Sequence, residues 1–246
     1  MKMKKIGCLL ILLLLILLII SGCNNEVEES NSLAEDLESV EGTEDEAETS
    51  KEDEPMKMEH DEDAESDEPK DPDLTGMKAA FLIAPGFHSG ETVDPLAHLE
   101  AHGVECILIG PETGDVKAYN TNLSLTIEVA IDEVDSSDYD LLIIPGGHSP
   151  MELKGHNGAI KLVQEFMEAE KVVATICRGP YLLAGADVLK DRTLTSIDYI
   201  DNAIVNAGGV YVNEAVVVDD NLITSRRPGD IPLFNQAIVE ALAPKE

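Results

Sequence analysis

Four short runs of apolar residues, 79–84, 106–109, Leu141–Ile144 and Val172–Ile176, constrain this chain more than any other feature. None shows the in–out alternation of a strand with one wet face. Uninterrupted runs of this length belong to strands buried on both faces, which occur in parallel sheets covered by helices. Helical patterns lie between them. Residues 91–102 place Val93, Leu96, Ala97 and Leu99 on one side and stop at Gly103, and Pro95 fits there only within the first turn. Residues 159–169 align Ile160, Val163 and Met167, and Ile231–Leu242 carries Leu233, Ala237, Ile238 and Leu242. Alternation of this kind predicts an α/β fold, a flavodoxin-like doubly wound sandwich with a mostly parallel central sheet. Residues 210–212, 215–218 and 222–224 are expected as shorter strands near its C-terminal edge.

This pattern is confined to residues 77–246. Residues 24–76 hold 23 acids and three bases, no aromatic residue and few branched aliphatics. Such a stretch buries too little apolar surface to offset its ordering entropy, so it is expected to be a disordered acidic tether. It would space the domain, collect divalent cations, or simply solubilise. The net charge of −32 argues against a nucleic-acid partner, which needs a basic face.

Residues 1–23 differ again. Lys2, Lys4 and Lys5 precede a charge-free run over residues 6–20, which ends in Ile20-Ser21-Gly22-Cys23. The run is short for a bilayer span of about 20 residues, and its layout is that of an export signal. Its ending resembles the lipobox of bacterial lipoprotein precursors, which implies cleavage before Cys23 and lipidation of its thiol. Two acyl chains anchor stably at about 0.8 kcal/mol per buried CH₂. The expected location is the extracytoplasmic face of the cell membrane, lipid-anchored; an uncleaved helical anchor is the alternative.

Within the domain, three strand ends carry chemistry: Gly86-Phe87-His88-Ser89-Gly90-Glu91, Pro145-Gly146-Gly147-His148 and Ile176-Cys177-Arg178-Gly179-Pro180. In the third, a cysteine follows an apolar strand and precedes a helix opened by Pro180, the order of a nucleophile elbow. A helix N-terminus and Arg178 would lower its thiol pKa. Gly146 and Gly147 offer backbone N–H groups suited to an oxyanion hole. Cys106, inside a strand, reads as packing, and no disulfide with Cys177 is expected. His98 and His102 stand one helical turn apart but lack a third ligand, so no metal is expected, and no cofactor either.

These motifs, with Thr224-Ser225-Arg226-Arg227-Pro228-Gly229-Asp230 following in order, resemble the ThiJ/PfpI family of class I glutamine amidotransferase-like proteins over nearly the whole domain. The resemblance implies a homodimer or larger homo-oligomer. It implies Cys177 as nucleophile, Glu91 as the protonated carboxyl bonded to its sulfur, and Gly147 and Arg178 as oxyanion amides beside Gly146. The implied substrates are small carbonyl compounds or peptides. Two departures stand out. Hydrolytic members carry His after the cysteine, where this chain has Arg178, and the PfpI-type proteases take a neighbouring-subunit carboxylate at the position of Met151, next to Glu152. A loop His of other relatives corresponds to Ile197 or Asp198. His148 and His88 are the candidates to replace these proton carriers, and Arg178 cannot, since it stays protonated at ordinary pH. The rival expectation is a non-catalytic redox or stress-protective module that uses an oxidisable Cys177. An amidotransferase is disfavoured because no synthetase domain accompanies the domain.

Overall fold

The computed structural model describes residues 72–244; the signal segment, Cys23 and nearly all of the acidic stretch lie outside the described residues. In chain order the elements are β1 (Lys78–Leu82), α1 (Ser89–Ala101), β2 (Glu105–Gly110), β3 (Gly114–Lys117), β4 (Ser124–Ile127), β5 (Val129–Ala130), β6 (Leu141–Ile144), α2 (Ser149–Leu153), α3 (Asn157–Glu168) and β7 (Val172–Ile176). They continue with α4 (Pro180–Gly185), β8 (Thr193–Leu194), α5 (Asp201–Asn206), β9 (Val210–Tyr211), β10 (Val216–Asp219), β11 (Leu222–Ser225) and α6 (Ile231–Leu242).

Seven strands form the central sheet in the order β10-β11-β7-β6-β1-β2-β5. Every pairing is parallel except β10 with β11. The two faces divide residue by residue, as a period of two demands. Ala79, Phe81 and Ile83 meet α1 and α6 through Leu99, Phe234 and Ile238. Ala80, Leu82 and Ala84 meet α3 and α4 through Val163, Phe166, Leu182 and Leu183. All four β6 side chains are fully buried, each contributing about 1.5–3 kcal/mol of apolar transfer. The uninterrupted apolar runs follow directly: a strand with helices on both sides has no wet face to decorate.

Three details differ from the sequence reading. Helix α1 starts at Ser89, with His88 as its cap, so Pro95 falls in the second turn and leaves the Glu91 carbonyl without a helical N–H. Strand β9 pairs with β8 in a separate two-stranded sheet, not at the edge of the main one. The packed domain begins before Met77: Leu74 is buried and its N–H donates to the His102 carbonyl at 2.9 Å.

Topology locates the site. From β1 the chain steps to β2 on one side, whereas β6, on the other side of β1, leads on to β7 and β11. The strand order reverses between β1 and β6, and the crevice outside their C-terminal ends is where such sheets bind ligands. The three motif-bearing loops follow β1, β6 and β7 and meet there.

Candidate active site

The loops after β1 and β6 are joined by a two-residue antiparallel bridge, Phe87 against Gly147. The His148 N–H donates to the Gly86 carbonyl at 2.7 Å and the His88 N–H to the Gly146 carbonyl at 3.3 Å. Gly147 has φ +84°, a value that L side chains rarely adopt, and a Cβ there would lie 2.5 Å from the Gly86 oxygen. The bridge holds the start of α1 against the end of β6, and so brings Glu91 beneath the second loop.

Glu91 is fully buried. Its Oε2 accepts the Gly146 N–H at 2.9 Å, while Oε1 has no other partner than the thiol can provide. Gly146 is glycine for a steric reason: a Cβ would sit 2.5 Å from Glu91 Oε2 and 2.7 Å from Cys177 Cβ. Because its N–H is committed to Glu91, Gly146 positions the carboxyl instead of facing an oxyanion. Burial pushes the Glu91 carboxyl up to about 7, against the hydrogen bonds from Cys177 and Gly146 and the charge of Arg178.

Cys177 occupies the turn between β7 and α4 with φ +62°. A non-glycine residue pays roughly 1–2 kcal/mol for that conformation. It persists because both backbone groups are clamped: the N–H donates to the Ser225 carbonyl at 2.9 Å, and the C=O accepts the Ile197 N–H at 3.1 Å. The turn aims the sulfur into the crevice, where it lies against the Glu91 carboxyl and near the backbone N–H groups of Arg178 and Gly147.

The thiol does not show the lowered pKa expected of a helix N-terminus. Burial pushes it up to about 12, and the charge of Glu91 and its hydrogen bond add to the effect, against the two amides. Cys106 is also pushed up to about 12, by burial and then by Glu100. The two thiols differ in their neighbours. Cys106 has only the Leu96 and Val104 carbonyls within reach, and a carbonyl cannot take a proton. Cys177 and Glu91 form a pair that releases one proton near 7 and holds the other to about 12. Between those values the pair shares a single proton. With that proton on Glu91, the sulfur is a thiolate held by two amides.

The mouth above the sulfur is aromatic. Tyr119 packs on His148 with ring centroids 4.6 Å apart, and His88 meets Tyr119 edge-on at 5.7 Å. His88 Nδ1 accepts the Glu91 N–H at 3.3 Å, so this imidazole serves the helix cap in its neutral form. Burial holds its pKa down against the pull of Asp94. His148, packed on Tyr119, is exposed to solvent. The Arg178 Nε–H donates to the Tyr199 hydroxyl, and Nη1 lies 3.4 Å from the Gly147 carbonyl. Met151 lies on α2 and is 59% exposed. Among the described residues no cluster of three or more His, Cys, Asp or Glu could hold a metal.

Cys177, Glu91, Gly146, Gly147, Arg178 and His148 thus gather in one crevice. The sequence reading missed Tyr119 and Tyr199. Tyr199 stands two residues past Ile197, on the loop where relatives supply a His, and that offset was the available signal. Tyr119 follows β3 and has no local motif to mark it.

Residues 77–241 match the DJ-1/PfpI family. Protein/nucleic acid deglycase 2 of Escherichia coli strain K12 is 40% identical over 167 residues, covering 67% of this chain and 97% of its own length. Deglycase PfpI of Pyrococcus furiosus is 34% identical over 166 residues, covering 68% and 99%. Among solved structures, Drosophila melanogaster DJ-1beta superposes with a TM-score of 0.64 at 28% identity, covering 69% of this chain and 91% of its own.

Proposed function

The chain belongs to the DJ-1/PfpI family, and from that membership we propose that its domain is a cysteine-dependent enzyme of the deglycase or hydrolase kind, acting on small carbonyl compounds or peptides through Cys177. One observation carries the reading: the strained elbow sets the sulfur against a buried carboxyl that titrates near 7 and against two N–H donors.

The residues suggest the following steps. Proton transfer to Glu91 leaves a thiolate, which adds to the carbonyl carbon; a C–S bond forms and the π pair moves to oxygen. The N–H groups of Gly147 and Arg178, already beside the sulfur, meet the new oxyanion two bonds away. The Glu91 proton then neutralises it to a hemithioacetal. For a 2-oxo aldehyde, the proton on the sulfur-bearing carbon moves through an enediol to the neighbouring carbonyl carbon, giving a thioester. Water hydrolyses the thioester to a 2-hydroxy acid and the free thiol, with His148 relaying protons. Incubation with methylglyoxal, followed by mass spectrometry of quenched samples, is expected to show one adduct on the Cys177 peptide that decays as product accumulates. An adduct confined to other residues, or none, would sink the proposal.

The same anion-holding amides favour a second reading, in which peroxide oxidises Cys177 to a sulfinate hydrogen-bonded to protonated Glu91. Peptide mapping after peroxide treatment separates the two: stable gain of two oxygen atoms on Cys177 without any aldehyde turnover supports the redox module.

We also propose that the domain is held at the extracytoplasmic face of the membrane by lipid on Cys23. The support is Ile20-Ser21-Gly22-Cys23 after a charge-free apolar run. Labelled palmitate is expected to enter the wild-type protein and not Cys23→Ala; equal labelling of both rules the anchor out.

A further inference from the structure

On that catalytic reading, Arg178 places a guanidinium beside the nucleophile and holds it with neutral partners. The chain carries 49 acids and 17 Lys and Arg, yet among the described residues only some of the cations are paired. Lys78, Lys161, Arg192, Arg226 and Arg227 all form ion pairs. Arg178, next to the nucleophile, forms none among the described residues. Its Nε–H goes to the Tyr199 hydroxyl, its Nη1 to the Gly147 carbonyl, and Nη2 has no acceptor among the described residues. These neutral partners orient the guanidinium, whose charge also acts on the Cys177–Glu91 pair beside it. The Tyr199 oxygen accepts from Arg178, which leaves its own O–H to donate, and the residue is 55% exposed at the mouth.

What remains is a planar fork plus a hydroxyl donor, the arrangement that holds a carboxylate with two oxygens. Its position fixes where that carboxylate sits relative to the reacting carbon. Gly147 accepts from the guanidinium through its carbonyl and donates to the sulfur through its N–H, so one residue separates anion site and nucleophile. The aromatic wall of Tyr119, His148 and His88 closes the other side. A ligand that meets both points with neighbouring groups carries its carbonyl directly beside its anionic group.

We infer that the Arg178 guanidinium and the Tyr199 hydroxyl form a subsite for the carboxylate of a 2-oxo acid, presenting the adjacent carbonyl to Cys177. The arginine that replaces the family's usual histidine thereby selects the substrate instead of moving its proton. In the binding step the thiolate adds to the 2-oxo carbon, the C=O π pair goes to oxygen, and Glu91 supplies the proton; the carboxylate is unchanged.

Glyoxylate and glyoxal test this, since they share the reacting aldehyde and differ in a carboxylate against a second aldehyde. The measurement is the concentration of each that half-protects Cys177 from iodoacetamide, read by peptide mapping. The glyoxal-to-glyoxylate ratio in wild type is expected to exceed that in Arg178→Met by about tenfold, the order of a charge-assisted hydrogen bond. Tyr199→Phe, which keeps the charge, should lose part of the same ratio. A ratio cancels any effect of these variants on thiolate formation, because both aldehydes share it. An unchanged ratio in Arg178→Met overturns the subsite and leaves the nucleophile standing. If neither aldehyde protects Cys177 in wild type, the catalytic reading falls, and the subsite with it.

Discussion

Cys177→Ala is expected to abolish the aldehyde adduct and to cut turnover by on the order of 10³-fold or more, the scale seen when a covalent nucleophile is removed. The loss is chemical. Alanine keeps the elbow's backbone hydrogen bonds to Ser225 and Ile197 and vacates only a small buried volume, so the folded state survives. The carboxyl is the second reporter. With the thiol gone, Glu91 loses a hydrogen bond that holds its pKa down, and it should keep its proton to higher pH than in wild type. Initial rates on methylglyoxal, together with a melting curve for each protein, check the first part. A variant that melts normally and retains rates within tenfold of wild type would remove Cys177 from the mechanism.

The pH dependence of stability should change markedly in Glu91→Gln. The folded carboxyl titrates near 7 against an ordinary value of 4.5, so the folded state keeps a proton that the unfolded chain releases. Stability from this group is therefore fully present below about 4.5 and is lost as pH rises through 7. A shift of this size corresponds to about 3 kcal/mol, a sizeable part of the 5–15 kcal/mol typical of a domain. Glutamine cannot ionise, but can still accept from the Gly146 N–H. The difference in unfolding free energy, variant minus wild type, should grow by about 3 kcal/mol between pH 4.5 and 7, as measured by urea unfolding. The remaining acids titrate alike in both proteins and cancel. Parallel profiles would mean that folding does not raise the Glu91 carboxyl, and a carboxylate of ordinary basicity is too weak to take the thiol proton at neutral pH.

The fold was most legible where burial is complete. Leu141–Ile144 and Val172–Ile176 have the same bounds in sequence and structure because each is flanked by sheet neighbours and covered on both faces, so only apolar residues are tolerated. Helix Ile231–Leu242 was legible for the matching reason, with one apolar face toward the sheet. The hairpin of β3 and β4 was not. Gly114–Lys117 and Ser124–Ile127 are largely exposed and their sequence mixes charges with single aliphatics, so no period stands out. Pro95 misled the placement of α1, since the cap that starts the helix is a histidine. At the site, the elbow, the glycine pair and Glu91 lie on strand ends with their own motifs. The depth of Cys177 has no sequence mark, which is why a lowered thiol pKa was expected and burial raised it.

The left-handed backbone at Cys177 also has a meaning for how such a sequence drifts. Glycine is the residue that this turn accepts at least conformational cost. A lineage selected for thermal endurance alone would be drawn toward glycine there, and would discard its chemistry while gaining robustness. Cysteine is retained only as long as the reaction is under selection. The identity of this one residue is therefore a sensitive record of whether a descendant still does chemistry or merely keeps its shape.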